Sequence, residues 1–478
     1  MADSRVMTMQ QERRTGTHRG GTRRVLPAPT ATRWPREVAL GAIWLSLAVV
    51  TSLWLRGGEL QTLTRSGADA VTSLGRLSGL LAADLLLLQV LGMARVPWVE
   101  RAFGQDSIAR LHRLTGFGSV SLMLVHVLLI TVGYAATGHT GVVSELVSLV
   151  LTYPGMLLAA AAATVLVGVA VTSVRLARRR LRYESWHLLH LYAYLGVGLA
   201  LPHQIWTGAD FVSSPLARAY WWTLYATVLG AVLTFRVARP LWRSLWHRVE
   251  VAAVVDEAPG VISLHLRGHR LDRLGLRAGQ FLVWRFLDGP GWSRGHPFSI
   301  SAAPHPRMLR ITVKDLGDGS RDLRALRPGT RAMLEGPYGR LTGAVRTSPK
   351  VTLVAAGIGI TPMRALLEEM PYAAGEAVLL YRARSERDLV FRAELDGLAA
   401  DRGASVVYLI GRRGKGGSWL PAGRQRSTDA KELRALVPDI AEHDVYVCGP
   451  DHWMAAVRDT ALATGVPPER IHLERFSW

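Results

Sequence analysis

Four histidines occupy positions where chemistry is the best reason for them. His112 and His126 fall in one apolar stretch, and His190 and His203 in another. An ionisable side chain inside such a stretch is costly and needs a purpose. Imidazole is a good axial ligand for haem iron, and two imidazoles on one iron leave no open coordination position. If the two stretches run in the same direction, His112 is level with His190 and His126 with His203. The two levels are then ~20 Å apart at ~1.5 Å per helical residue. Two helices that each offer an inner and an outer imidazole can clamp two stacked haems, with one ligand per helix per haem. A single histidine near a helix end, such as His112 or His187, is more often interfacial, but two pairs matched in depth are harder to explain that way. His112 and His126 are fourteen residues apart and share a helix face, whereas His190 and His203 are thirteen apart. Pro202 can kink the helix and re-aim His203. His187 is a spare that can replace His190, bind a haem propionate or face solvent.

A second set of chemical residues lies in the other half of the chain. His296-Pro297-Phe298-Ser299 puts an aromatic ring and a hydroxyl at neighbouring strand positions, where they can stack on a flavin and hydrogen-bond its ring. Gly317-Asp318-Gly319-Ser320 precedes a helical stretch, Arg321–Leu326. Backbone amides at a helix start favour a phosphate, so this is a candidate FAD pyrophosphate turn, against the alternative of an ordinary capped turn. Gly357-Ile358-Gly359-Ile360-Thr361-Pro362 follows the apolar run Val351–Ala356. Its glycines permit close backbone approach, Thr361 can cap a helix, and Pro362 suits a first helical turn. The result is a dinucleotide-phosphate site without the third glycine of the usual fingerprint.

These residues need elements to hold them. A bilayer-spanning helix takes about 20 apolar residues. Six stretches qualify: Val38–Leu55, Leu74–Ala94, Ile108–Tyr134, Leu146–Val174, Ser185–Trp206 and Tyr220–Val237. Connections 95–107, 175–184 and 238–248 carry most of the loop arginines, whereas 135–145 and 205–217 carry no Lys or Arg. The positive-inside rule then places both termini in the cytosol. His139 lies in the outer connection 135–145 and reads as a solvated loop residue. Residues 1–36 are basic and poor in large apolar side chains, and read as a disordered cytosolic tail rather than a signal peptide.

After about Arg248 the pattern changes to short alternating strands, Val249–Val255, Val261–Leu266, Gln280–Phe286 and Leu309–Val313, as in a small antiparallel barrel. Beyond Val351–Ala356 come Ala377–Tyr381, a helix near Leu389–Leu398, Val406–Leu409 and Asp444–Cys448, which leads into Gly449-Pro450. That alternation predicts a doubly wound α/β sheet with ligands at the carboxyl ends of its strands.

Composition narrows the function further. The 57 Lys and Arg against 37 Asp and Glu leave a formal net charge of +20. Many of the arginines flank the apolar spans, in Arg5–Arg24, Arg175–Arg182 and Arg236–Arg248, where cations orient a membrane protein and meet anionic lipid. Nucleic acid is therefore not the expected partner. Cys448 is the single cysteine, which excludes an internal disulfide and an iron–sulfur cluster. Any haem must be held without covalent attachment.

Residues 245–478 resemble the ferredoxin–NADP reductase type of module, on Gly279-Gln280-Phe281, His296–Ser299, Gly317–Ser320, Gly357–Pro362, Cys448–Pro450 and Glu474-Arg475-Phe476. The chain from about residue 38 onward resembles the NADPH oxidase and ferric reductase superfamily. The resemblance implies a multidomain fold: a six-helix, all-α transmembrane haem domain (37–240), an antiparallel β-barrel FAD domain (245–345) and an α/β NAD(P)H domain (348–478). It implies that Phe298 and Ser299 contact the isoalloxazine with His296 and Pro297 nearby, and that Gly319 and Ser320 hold FAD phosphates. Gly357, Gly359, Thr361 and Pro362 would meet NAD(P)H, with Cys448 and Gly449 beside the nicotinamide. Phe476, or alternatively Trp478, would cover the flavin ring.

Many soluble relatives carry Arg-x-Tyr-Ser where this chain has His296-Pro297-Phe298-Ser299, which looks like the oxidase branch. No EF-hand loop and no ferredoxin cysteine set is present. The implied function is electron transfer from cytosolic NAD(P)H through FAD and two b-type haems to an outer acceptor, dioxygen or a ferric chelate. The alternative is a membrane-anchored subunit that reduces a partner protein or a quinone. NADH and NADPH are not distinguished, although Arg382, Arg384 and Arg387 follow the strand where a 2′-phosphate can bind.

Overall fold

A computed structural model describes residues 34–174, 183–208, 214–288, 294–414, 416–425 and 427–474. The described chain divides into two compact units, one up to Arg239 and one from Pro240 onward.

The first unit is helical: α1 (Trp34–Trp54), α2 (Gly67–Gly92), α3 (Gln105–Gly138), α4 (Val142–Thr152), α5 (Met156–Ser173), α6 (Tyr183–Thr207) and α7 (Pro215–Val232). Among the described residues, five helices are long and apolar enough to cross a membrane: Leu40–Thr62, Gly67–Gly92, Ser107–Gly138, Met156–Ser173 and Pro215–His247. The expected span Ser185–Trp206 is helical within α6 but is not among the five, because its three histidines, two tyrosines, two tryptophans, Pro202 and Gln204 dilute its hydropathy. The expected span Leu146–Val174 is two helices. Pro154 drives Tyr153 into the extended region (φ −85°, ψ 137°), and Gly155 turns left-handed at φ 81°. α6 continues through Pro202.

This unit has few fully buried side chains. Val50, Leu87, Trp221 and Val228 form its core, whereas Trp44, Leu45, Leu114, Val143 and Leu157 point outward. Apolar side chains on the outside and backbone satisfied within helices are what a lipid solvent selects. Small residues let α2 and α3 approach closely. A Cβ at Gly75 would stand 3.0 Å from the Ile130 nitrogen, and one at Gly133 would run into Thr72. A polar knot joins α1, α2 and α7. Asp84 Oδ1 accepts from Ser46 at 2.8 Å and from Tyr220 at 2.7 Å.

The second unit opens with α8 (Arg239–His247) and continues with β1 (Glu250–Ala258), β2 (Val261–Arg267), β3 (Phe281–Phe286), β4 (His296–Ser299), β5 (Met308–Lys314) and β6 (Ala332–Tyr338). The barrel expected here is two three-stranded antiparallel sheets, ordered β1-β2-β5 and β4-β3-β6. Isolated bridges Glu250–Arg331 and Ile300–Ile311 connect them. Their inner faces share one core, including Leu264, Leu282, Trp284, Ile300 and Ile311.

Then come β7 (Val351–Ala356), α9 (Ile360–Glu369), β8 (Ala377–Ala383), α10 (Arg392–Arg402), β9 (Ser405–Ile410), α11 (Asp429–Leu436), β10 (Asp444–Cys448), α12 (Asp451–Ala463) and β11 (Ile471–Glu474). The sheet is parallel throughout, in the order β11-β10-β7-β8-β9. α10 starts three residues later than its apolar pattern suggests, after Phe391 at φ 64°. Asp444, fully buried at the start of β10, accepts from Thr347 N at 2.7 Å and meets His472 Nε2 at 2.8 Å. This contact pins β11 to the sheet.

Candidate functional site

In the helical unit, α3 and α6 carry the four histidines. The rings of His112 and His190 meet edge to face, with centroids 5.7 Å apart and planes at 77°. His190 also stacks on Trp186 at 5.3 Å, and its Nδ1 lies 3.2 Å from Ser173 Oγ on α5. His203 packs at the start of α5, where a Cβ on Gly155 would stand 2.9 Å from its backbone nitrogen. The structure brings the rings of the His112–His190 pair together. His187 is exposed on α6, and His139 is an exposed left-handed cap at the end of α3.

Three features bear on whether these pairs suit haem. Nδ1 of His126 meets the Gly75 carbonyl at 2.7 Å, which makes it a donor and leaves Nε2 as the free lone pair. Nδ1 of His112 is buried and has no hydrogen-bond partner. Among the described residues, no three His, Cys, Asp or Glu side chains converge. Two imidazoles per site suit an iron whose remaining ligands come from a porphyrin, so the residues fit the group. Gly79 was not singled out from the sequence, yet a Cβ there would stand 2.5 Å from His126 Nδ1. The signal was available, because Gly75 and Gly79 form a Gly-x-x-x-Gly pair in an apolar helix.

In the second unit, β4 presents His296 and Phe298 on one face, two residues apart. Their rings lie 8° from parallel with centroids 5.8 Å apart. Ser299, the last residue of β4, is buried, and its Oγ has no partner. An orphaned buried hydroxyl beside an aromatic face fits a flavin edge. The phosphate turn lies close by, since a Cβ at Gly319 would stand 3.4 Å from His296 Cε1. Helical turns start at Asp318 rather than Arg321, so Gly319 and Ser320 sit inside the first turn. Ser320 Oγ is engaged locally: it donates to Gly317 O and accepts from Leu316 N, both at 2.9 Å.

The dinucleotide turn is a single 3₁₀ turn, Gly357–Gly359, with Gly357 at φ 56°. A Cβ at Gly359 would collide with the Cys448 carbonyl, so the ends of β7 and β10 are in contact there. Thr361 does not cap α9 as expected. It lies inside the first turn and donates to Ile358 O at 3.0 Å. Pro362 is in the same turn. Gly449 is equally tight, because a Cβ would stand 2.8 Å from the Trp453 ring.

Cys448 is fully buried, and burial together with the nearby Glu474 carboxylate pushes its thiol well above the ordinary value. The raised value keeps the thiol in its neutral form. Glu474, its β-partner, accepts from Arg340 N at 3.3 Å. Phe476 and Trp478 lie outside the described residues.

At the end of β8, Arg382 has its Nε and Nη2 buried without partners. Burial and the nearby Arg413 lower its pKa. Arg382 therefore holds buried guanidinium donors without protein partners at the end of the strand next to β7. Arg413 was not singled out, because it lies in a loop rich in glycine and arginine.

Comparison with known proteins follows this division. Residues 78–201 match the family described as ferric reductase like transmembrane component, and residues 353–459 match the oxidoreductase NAD-binding domain. The chain is 35% identical over 212 residues to ferredoxin–NADP reductase B of Sorangium cellulosum, covering 42% of this chain and 84% of that protein. It is 27% identical over 248 residues to the glycine betaine monooxygenase reductase subunit of Pseudomonas aeruginosa, covering 50% of this chain and 67% of that protein. It is 32% identical over 241 residues to the ferredoxin reductase component of 3-ketosteroid-9-alpha-monooxygenase from Mycolicibacterium smegmatis, covering 48% and 65% respectively. The match thus joins a membrane component to an FAD- and NAD(P)H-binding oxidoreductase module.

Proposed function

The chain belongs to the NADPH oxidase and ferric reductase superfamily, and from that membership we propose that it is a transmembrane flavohaem oxidoreductase carrying electrons from cytosolic NAD(P)H to an acceptor on the outer face. The reading is carried by one observation: the rings of His112 and His190, from two different helices, approach to 5.7 Å inside an apolar bundle. We read α6 as the sixth crossing, whose polar side chains are the haem ligands themselves. The arginine-rich connections then lie on the cytosolic side, and so do both termini.

FAD, when bound, exchanges a two-electron hydride for single electrons, and haem iron passes such electrons singly. The protein's own part is to bind, orient and exclude water. His112 with His190, and His126 with His203, would hold the two irons, and the Gly75 carbonyl keeps the His126 proton on Nδ1. Phe298 and His296 offer a flat face to the flavin, and Ser299 offers the hydrogen bond its buried hydroxyl lacks. Gly319 and Ser320 direct backbone amides at the FAD phosphates. Gly357, Gly359, Thr361 and Pro362 let the nucleotide approach the backbone, while Cys448 and Gly449 wall the nicotinamide side. Arg382 favours NADPH over NADH, since buried guanidinium donors without a protein partner suit a phosphate.

If two imidazoles held each iron, no coordination position would remain open, and an acceptor would have to take electrons without binding iron. Dioxygen and ferric chelates both satisfy this condition. A second reading rests on the reductase-subunit names of the relatives, which suit delivery of electrons to a partner protein or a quinone. Steady-state assays of the purified chain in liposomes separate them. NADPH-driven superoxide or ferrous-chelate formation supports the first reading. Rapid NADPH consumption only when a quinone or ferredoxin is added supports the second.

A further inference from the structure

The site described above uses the ends of β4 and β7 and leaves unused an ion cluster between β5, α9 and α10. Arg310 on β5 and Arg364 on α9 have side chains only 5% and 4% exposed, and they share Glu394 of α10. Glu394 Oε2 lies 3.0 Å from Arg310 Nη1, and its Oε1 takes Arg364 Nη2. Arg364 Nη1 also pairs with Glu368, one turn along α9. Glu368 in turn accepts the backbone N–H of Ala303, and the adjacent Glu369 accepts that of Ala278.

On the flavin side, Arg310 donates from Nη2 to Ser301 O at 2.8 Å and from Nε to Ser301 Oγ at 3.2 Å. Its guanidinium lies 4.5 Å over the Phe391 ring. Ser301 Oγ also accepts from Thr312 at 2.7 Å, and Thr312 meets Ser263 at 2.7 Å. The cluster therefore runs unbroken from the interior of the β-sheets to α9.

Stability alone is a weak reason for this arrangement. Two guanidiniums removed from water are expensive, and a well-packed apolar trio of the same volume is often as stable or more so. Planar guanidinium forks do fix direction, because each N–H has a set angle to its carboxylate. The positions they fix are informative. Ser301 is two residues beyond Ser299, and Arg364 is five beyond Gly359. The cluster thus ties the flavin strand to the helix launched by the dinucleotide turn. Hydride transfer depends steeply on such registration, and a displacement of about 1 Å costs on the order of 10²-fold in rate.

We infer that Arg310, Glu394 and Arg364 are positioning residues that hold β4 and the Gly357–Gly359 turn at hydride-transfer distance. This role rests on the reading that NAD(P)H reduces FAD in this chain.

The test is anaerobic stopped-flow reduction of FAD in the full-length purified protein, comparing wild type with the near-isosteric Glu394→Gln and Arg310→Lys. At saturating NADPH each variant should reduce its flavin at least ~10-fold more slowly, with KM changed by less than about twofold. The long-wavelength absorbance of the stacked nicotinamide and flavin should weaken, while FAD content stays near wild type. The double variant should be no slower than the slower single one, because the three residues act as a unit. Wild-type rates per bound FAD, or a loss of rate that tracks lost FAD, would overturn the positioning role. If neither NADPH nor NADH reduces the wild-type flavin, the hydride reading fails and this role fails with it.

Discussion

Nδ1 of His126 lies 2.7 Å from the carbonyl oxygen of Gly75 on the neighbouring helix. A carbonyl can only accept, so this contact puts the proton on Nδ1 and leaves the lone pair on Nε2. Gly79, one turn further along α2, leaves the space the ring fills.

That space gives the first prediction. Gly79→Ala puts a methyl within 2.5 Å of the His126 ring and should dislodge it. Haem content should fall by about half, from two per chain toward one, as one of two axial pairs fails. The reduced-minus-oxidised spectrum and a pyridine haemochrome assay measure this. Retention of both haems with unchanged bands would remove His126 from the ligand set.

Ser299 gives a prediction whose two halves have opposite signs. Its buried Oγ has no partner in the protein, and an unsatisfied buried hydroxyl costs about 1–3 kcal/mol. Ser299→Ala should leave the FAD-free protein as stable as wild type or more stable. It should also weaken FAD binding by about tenfold, or ~1.4 kcal/mol. Thermal melts without FAD and a fluorescence titration with FAD read the two halves, and unchanged FAD affinity would argue against contact with the flavin.

Arg382 should set nucleotide choice. Its Nε and Nη2 are buried without partners beside Arg413. A charge-assisted bond to a phosphate is worth about 1.5–3 kcal/mol, so Arg382→Ala should raise KM for NADPH by roughly 10- to 100-fold. KM for NADH should barely change. An equal effect on both nucleotides would place the arginine elsewhere in the binding reaction.

Asp444 should confer acid sensitivity. Burial raises its pKa, but the His472 bond and the Ser348 and Thr347 amides outweigh burial and hold the carboxyl below its ordinary value. A depressed folded pKa adds stability above the unfolded value of about 3.9, and that stability is lost as pH falls through the folded one. Asp444→Asn should cost about 1–3 kcal/mol at neutral pH and flatten the loss of stability in acid. Melting temperatures followed by FAD fluorescence between neutral and acid pH test this, and parallel pH profiles for the two proteins would refute it.

Much of the second unit was legible because its signals are local. The apolar run Val351–Ala356 and the glycines after it specify a buried strand and a tight turn wherever they occur, and β7 matches that run residue for residue. Boundaries were less legible where backbone geometry overrode the pattern. Phe391 in a left-handed conformation delays α10, and Pro154-Gly155 splits one apolar stretch into two helices. The hydroxyl of Thr361 turns to Ile358 rather than capping α9, a choice that hydropathy does not encode.

By itself the sequence determined the order of apolar and soluble parts and the glycine turn after β7, since these follow from residue type and spacing along one chain. Only the tertiary structure decided which atoms meet. It set Gly79 against His126, left the Ser299 hydroxyl unpaired, put Arg413 beside Arg382, and joined Arg310 to Arg364 through Glu394. Each is a contact between segments distant in sequence, where desolvation and close packing act on neighbours that no local pattern names. For His126, spacing could place the residue on a helix face, but only packing supplied the Gly75 carbonyl that meets its Nδ1 and the Gly79 gap that its ring fills.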